Sequence, residues 1–290
     1  MPIPAIESSL HTPEVAVSRA VLVTGCSSGI GRASAERLAA AGWTVYASAR
    51  RLETVAGLAG CRPLELDVTD DVSMRAAVEQ IERDEGAVGV LVNNAGYSQS
   101  GAVEGVSLDE ARRQFETNVF GLARLTQLVL PGMRAQRWGR IVNVSSMGGE
   151  LTFPGGGWYH ASKHAVEALS DALRFEVAGF GIDVVVIQPG LIRTGFAEAA
   201  VGSIDVGDGP YARFDAAVGA ATAGAYHGAF GRRLGGGPDA VAKAVERAVT
   251  AKRPRTRYRV TPSARLFIAL RRVLPDRGWD ALVGRSYPRP

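Results

Sequence analysis

The chain has 290 residues, with 33 basic and 29 acidic side chains, a net charge of +4 and 46% hydrophobic residues. That length and apolar content suit one α/β domain around a continuous core and exclude a disordered or collagen-like chain. Cys26 and Cys61 cannot build a disulfide framework and lack zinc-ligand neighbours, the charges are too evenly spread for a nucleic-acid-binding face, and no apolar run is long enough to span a membrane.

Residues Met1 to Ala20 lack a basic start followed by an apolar run, so no secretory leader is expected. Residues 1–19 read as a flexible tail on a cytoplasmic protein with reduced thiols. Short β-branched runs then alternate with helical periodicity, the pattern of a doubly wound parallel sheet of Rossmann type with helices on both faces. Strands are predicted at Ala20–Thr24, Thr44–Ser48, Arg62–Leu66, Val88–Val92, Gly139–Val144, Asp183–Gln188 and Arg257–Val260. Helices are predicted at Ile30–Ala41, Val72–Glu85, Leu108–Gln136 (broken near Asn118), Trp158–Gly179 and Ala240–Ala251, with Gly42 and Gly86 closing the first two. Residues 20–290 form a single domain in this reading.

The first strand runs into Thr24-Gly25-Cys26-Ser27-Ser28-Gly29-Ile30-Gly31 and then a helix. A turn that brings backbone N–H groups against a pyrophosphate at a helix N-terminus needs residues without a Cβ, so this stretch is a candidate phosphate cradle, with Gly25, Ser27, Ser28, Gly29, Ile30 and Gly31 as its contacts. After the second strand comes Arg50-Arg51, where an acidic residue would select NAD and an arginine the 2′-phosphate of NADP. Arg50, helped by Arg51 and Ser28, thus points to NADP rather than NAD. Asp67, followed by Val68, ends the third strand and could accept from an adenine amino group or cap the helix starting near Asp71.

Tyr159 and Lys163 in Tyr159-His160-Ala161-Ser162-Lys163 are one helical turn apart, so phenol and ammonium share a face. A cation beside a phenol of ordinary pKa about 10 stabilises phenolate and makes it a usable proton carrier. Asn93-Asn94-Ala95-Gly96, Asn118 and Ser145-Ser146 fall at or near carboxyl ends of strands, where open α/β sheets hold ligands. Strand alternation sends Ser145 and Ser146 to opposite faces. His160 and His164 turn away from the Tyr159–Lys163 face and read as packing or surface residues.

The glycine turn, the Asn-Asn-Ala-Gly run, Asn118, Ser146, Tyr159, Lys163 and Pro189-Gly190, in this order, resemble the short-chain dehydrogenase/reductase superfamily from about Ala20 to Thr194. The turn with Ser28 and Arg50 is similar to the NADP-preferring hydroxysteroid and retinol dehydrogenase branch. The resemblance implies hydride transfer between nicotinamide and an alcohol or carbonyl group. It makes Tyr159 the acid/base, Lys163 a ribose ligand that lowers the tyrosine pKa, Ser146 a donor to the substrate oxygen, and Asn118 the holder of a relay water. Asn94 and Ala95 would form a cofactor wall, Gly96 would leave room for adenosine, and Pro189, Gly190 and Thr194 would line the nicotinamide. It also implies a homodimer or homotetramer through the helices carrying Asn118 and Tyr159. A catalytically silent NADP-binding sensor or scaffold, and an epimerase or dehydratase, are the other functions open to such a chain; the intact Ser146–Tyr159–Lys163 set favours a dehydrogenase.

Residues 191–237 are rich in Gly and Ala and contain no clean strand. They read as a substrate lid, whose Phe196, Tyr211, Phe214, Tyr226 and Phe230, with Met147, Phe153 and Trp158, suggest a bulky apolar substrate. An apolar-basic extension follows over 262–290. The basic excess sits late, in Lys252–Arg257 and Arg271-Arg272, and reads as a solvated rim, with weak peripheral contact to anionic lipid as the other reading.

Overall fold

The computed structural model describes residues 17–289. Seven parallel strands form one sheet: β1 (Ala20–Val23), β2 (Thr44–Ala49), β3 (Cys61–Glu65), β4 (Val90–Asn93), β5 (Gly139–Val144), β6 (Ile182–Gln188) and β7 (Arg257–Arg259). Their spatial order is β3-β2-β1-β4-β5-β6-β7, so the winding reverses between β1 and β4 and opens a crevice at the carboxyl ends of those strands. Each predicted strand is present.

Every residue of β1, β4 and β5 is buried because helices cover both faces, which is why these strands are largely apolar, interrupted only by Asn93, Arg140 and Asn143. Alternation splits them: Val21 and Val23 pack with Ala35, Leu38, Val241 and Val245, while Ala20 and Leu22 pack with Ile81, Leu125 and Met133. The first layer is α1 (Gly29–Ala40) and α9 (Pro238–Thr250); the opposite layer holds α2 (Asp71–Glu85), α4 (Leu122–Ala135) and α5 (Gly157–Val177). In α2, Met74, Ala77, Val78 and Ile81 form the buried stripe, and Gly86 ends the helix at φ 82°.

The long helix predicted over 108–136 is α3 (Leu108–Phe115) and α4, joined by a π-helical turn at Glu116–Gly121. A Cβ on Gly121 would lie 2.2 Å from the Val68 carbonyl oxygen, so the turn passes close under the loop after β3. Within 191–237 lie α6 (Phe196–Gly202), α7 (Ala212–His227) and α8 (Ala229–Leu234), and a single bridge, Ile192 to Gly236, closes the base of this insertion. The extension forms α10 (Pro262–Val273) and α11 (Asp276–Val283), whose Ala264, Ile268 and Trp279 pack on Met147, Leu151 and Leu191. Residues 1–16 of the expected tail lie outside the described residues. Ser18, also assigned to that tail, is buried, with its N–H on Gln136 Oε1 (3.0 Å) and its hydroxyl on Ala87 O (2.6 Å).

Candidate active site

A cavity of about 890 Å³ lies over the crevice between β1 and β4 and extends beneath the insertion. Its first half is backbone. Gly25 at φ 73° and Gly29 at φ 57° take conformations that favour glycine, and a Cβ on Gly31 would sit 2.3 Å from Gly25 O. Ser28 stands at the N-cap of α1 without a side-chain capping bond, so its hydroxyl and the first N–H groups of the helix remain available. Asn94 fastens this turn to the end of β4: its Nδ2 donates to Thr24 O at 2.8 Å and Gly25 O at 3.3 Å.

Gly25, Ser27, Ser28, Gly29, Ile30, Arg50, Asp67, Val68, Asn94, Ala95 and Gly96 all line the cavity. Gly31 lies behind the turn. Among the described residues Arg50 has no carboxylate within ion-pair distance, whereas Arg51 lies outside the lining, its side chain 76% exposed and 4.0 Å from Glu53. The structure therefore separates two neighbours that the sequence reading had paired. Asp67 turns one oxygen to the N–H and hydroxyl of Thr69 (2.9 and 2.8 Å), and the cap of α2 is Asp70, which accepts from Val72 N–H, so the capping alternative for Asp67 falls.

Ser146, Tyr159 and Lys163 meet at the second half of the cavity. Ser146 Oγ accepts from Gly148 N–H at 3.0 Å, while the Ser145 hydroxyl is sealed beneath Gly149 without a partner among the described residues. Lys163 Nζ donates to Val144 O at 2.9 Å and lies 5.9 Å from the centre of the Tyr159 ring. Burial pushes the Tyr159 phenol up to about 12, opposed by the hydrogen bond with Ser146. Burial pulls Lys163 down to about 8, opposed by the negative charge of Glu167.

Asn118 is buried on the π-helical turn and does not line the cavity. Its Nδ2 donates to Tyr97 O (2.9 Å) and Ser162 Oγ (3.1 Å), and its Oδ1 accepts from Tyr97 N–H (3.1 Å). A Cβ on Gly96 would lie 3.0 Å from Asn118 Oδ1 and 3.6 Å from Lys163 Nζ. Gly96 thus keeps open the gap between Asn118 and Lys163 and not, as the resemblance implied, room for adenosine. His160 is buried with Nδ1 3.2 Å from Gly148 O, and burial lowers it to about 4, so it packs as a neutral ring.

Pro189, Gly190 and Thr194 form the far wall. Of the eight aromatic and methionine residues expected around the substrate, only Phe196 and Tyr226 reach the lining, Phe196 with its ring 5.5 Å from that of Tyr159. Tyr211 instead donates to Glu104, Trp158 packs on Phe115, and Met147 and Phe153 support the wall from behind. The sequence reading missed an ionic network behind Lys163. Arg257 Nε donates to Glu167 (2.9 Å) and its Nη2 to Asp171 (2.7 Å), while Gln188 Nε2 bridges Glu167 and Glu150. Glu167, one turn after Lys163 on the same helix, was the available signal.

Residues 19–203 match the family model described as short chain dehydrogenase. A 3-ketodihydrosphingosine reductase of Bacteroides thetaiotaomicron is 44% identical over a region covering 61% of this chain and 65% of that protein. An NADPH-dependent 3-dehydrocapnine reductase of Ornithobacterium rhinotracheale is 37% identical across 91% of this chain and 95% of that one. The solved structure of a short-chain dehydrogenase from Streptomyces avermitilis is 36% identical, with a TM-score of 0.77 over 92% of this chain and 98% of its own. The chain belongs to the short-chain dehydrogenase/reductase superfamily, a family of oxidoreductases acting on CH–OH and keto groups.

Proposed function

We propose that the protein is an NADPH-dependent reductase of ketones carried on large apolar molecules. The observation that carries this reading is one cavity joining the glycine turn and Arg50 at one end to Ser146, Tyr159, Phe196 and Tyr226 at the other. The cradle suits a dinucleotide: a Cβ at Gly31 would fill the turn, α1 opens with unused N–H groups, and Arg50 is a cation without a carboxylate partner among the described residues. NADPH, when bound, supplies the hydride. Gly25, Ser27, Ser28, Gly29 and Ile30 would hold its pyrophosphate and Arg50 its 2′-phosphate. Asp67, Val68, Asn94 and Ala95 would flank its adenosine side, with Gly96, Pro189, Gly190, Thr194 and Lys163 around the nicotinamide.

The remaining work falls to three side chains. Ser146 donates to the carbonyl oxygen, Tyr159 donates to the same oxygen and releases its proton there, and the Lys163 ammonium stabilises the phenolate left behind. Asn118 holds α5 to the loop after β4 through Ser162 and Tyr97, and so sets where Tyr159 and Lys163 stand. Residues 191–237 act as the lid over the substrate's apolar part, with Phe196 and Tyr226 as its inner wall. The two reductase relatives bear names of 3-keto or 3-dehydro compounds, and one is named as NADPH-dependent, which supports a ketone and this cofactor. Exposed Phe120 on the π-helical turn and Phe175 on α5 support pairing of copies through the helices that carry Asn118 and Tyr159. Among the described residues no helix is long and apolar enough to cross a membrane, which is compatible with a cytoplasmic enzyme.

The test is NADPH consumption in the presence of long-chain ketones, ketosteroids, retinoids and small polar ketones, with product identified by mass spectrometry. Loss of reduced-nicotinamide absorbance equal in amount to the alcohol formed, with the long apolar ketones preferred, is the expected result. Turnover with NADH alone, or with small polar ketones alone, would overturn it.

A further inference from the structure

The outer face of α10 is apolar. At 100° per residue, Pro262, Leu266, Ala269 and Val273 fall on one stripe, opposite the buried Ala264 and Ile268. All four are exposed, Leu266 by 42% and Val273 by 75%. A helix with one apolar face in the core ordinarily shows water a polar one. This helix shows water a second apolar face.

Beside the stripe, half-buried Leu270 and Phe267 lead round the helix to the lid, and cations border the stripe. Phe267 lies to one side of it and carries the ring of Phe230 from α8 at 5.8 Å, with Phe230 itself 41% exposed. Arg232 and Arg233 follow on α8, and Arg265 stands on the other flank of the stripe. Among the described residues none of these three arginines has a carboxylate within ion-pair distance; Arg272, also on that flank, is paired with Glu150. Residues 251–290 hold eleven of the 33 basic side chains and two of the 29 acidic ones, so this stretch is +9 while the first 250 residues are −5. Rings in contact lead inward from the patch, from Phe230 to Phe267, Phe153, His160 and Tyr159.

We infer that the α8–α10 face is a docking surface for an anionic lipid bilayer, with Leu266, Val273 and Phe230 entering the headgroup boundary and Arg232, Arg233 and Arg265 meeting lipid phosphates. An apolar stripe bordered by arginines is the arrangement that settles in a membrane interface. A second copy of the chain on the same face would bring these unpaired arginines against their own equivalents across a two-fold axis, which like charge opposes. The patch adjoins the lid, so docking would hold that edge of the lid at the bilayer surface.

Vesicle flotation with the full chain tests this without turnover, so its failure leaves the reductase reading standing. Phosphatidylcholine vesicles and vesicles of phosphatidylcholine mixed with phosphatidylglycerol are the probes. Binding to the mixed vesicles only, weakening as salt rises, is expected. Leu266→Glu with Val273→Glu should abolish it with the thermal unfolding midpoint retained, and Arg233→Gln with Arg265→Gln should weaken it about 25-fold, about fivefold for each cation. No flotation of the unaltered chain, or flotation untouched by either pair of changes, would overturn the inference. So would sedimentation showing that Leu266→Glu with Val273→Glu splits an oligomer, for the face would then belong to a second copy.

Discussion

The two halves of the cavity are built by different means. Around β1, β4 and β5 the walls are backbone and short buried side chains, locked by bonds such as Asn94 to Thr24 and Lys163 to Val144, so their shape follows from the sheet. Beneath the insertion the walls are aromatic rings on α6 and α7, helices with few buried side chains joined to the sheet through loops. The first half leaves little freedom for change, because almost every atom there is also holding the fold together. The second carries its shape in side chains that can be exchanged singly, and on the proposed function it is there that substrates would be told apart.

The largest effect expected from breaking this contrast is at Tyr159. Tyr159→Phe keeps the ring packed against Phe196 but removes the proton, and kcat should fall about 10²- to 10⁴-fold with NADPH affinity little changed. Retention of most of the rate would exclude Tyr159 as the acid. The same residue gives a pH signature. With its phenol held up to about 12, reduction should be level through neutrality and decline as Lys163, held near 8, loses its proton, while alcohol oxidation should rise with pH.

Arg50→Asp comes next. Losing a charge-assisted bond costs about 1.5–3 kcal/mol, before repulsion from the new carboxylate, and preference should move toward NAD. Arg51→Asp, at a side chain outside the cavity lining, should change far less, and equal effects in titrations of NADPH would show that the wrong arginine was chosen.

Lys163 tests whether the rigid half gives up stability for chemistry. Its folded pKa lies below that of a free lysine, so between about pH 8 and about pH 10 the unfolded chain binds more protons and stability rises with pH. Below that window the buried ammonium is a cost. Lys163→Met should therefore raise the unfolding midpoint at pH 7, by at most about 3 kcal/mol in stability, while turnover is lost. A lower midpoint would mean that the bond to Val144 O outweighs desolvation.

The smallest effect is expected at Phe196. Phe196→Ala should raise KM for long apolar ketones about tenfold and leave short ones unaffected, because it removes wall and not machinery. A matching loss for short ketones would place Phe196 in the rigid half instead.

The same contrast separates what could be read in the sequence from what could not. Strands buried on both faces announce themselves as apolar runs, and Tyr159, Lys163 and the glycine turn carry spacing that local geometry imposes. The break near Asn118 was legible but not its form, since a π-helical turn there depends on Gly121 passing beneath Val68, about fifty residues away in sequence. Arg50 and Arg51 are adjacent and alike; which one faces the cavity is decided by the direction of the chain as it leaves β2. In the insertion, aromatic content was visible and aromatic direction was not. The ionic network of Glu150, Glu167 and Arg257 joins residues that only the sheet brings together.

The bridge between Ile192 and Gly236 means that the 43 residues from 193 to 235 depart from and return to the fold at a single point. Closing such a loop costs only slowly more as it lengthens, so its length is nearly free to vary once its ends are paired. A segment attached in this way behaves as an interchangeable cartridge. Replacing residues 193–235 by a piece of another length, with Ile192 and Gly236 still paired, should leave the sheet folded and change which molecules the cavity admits.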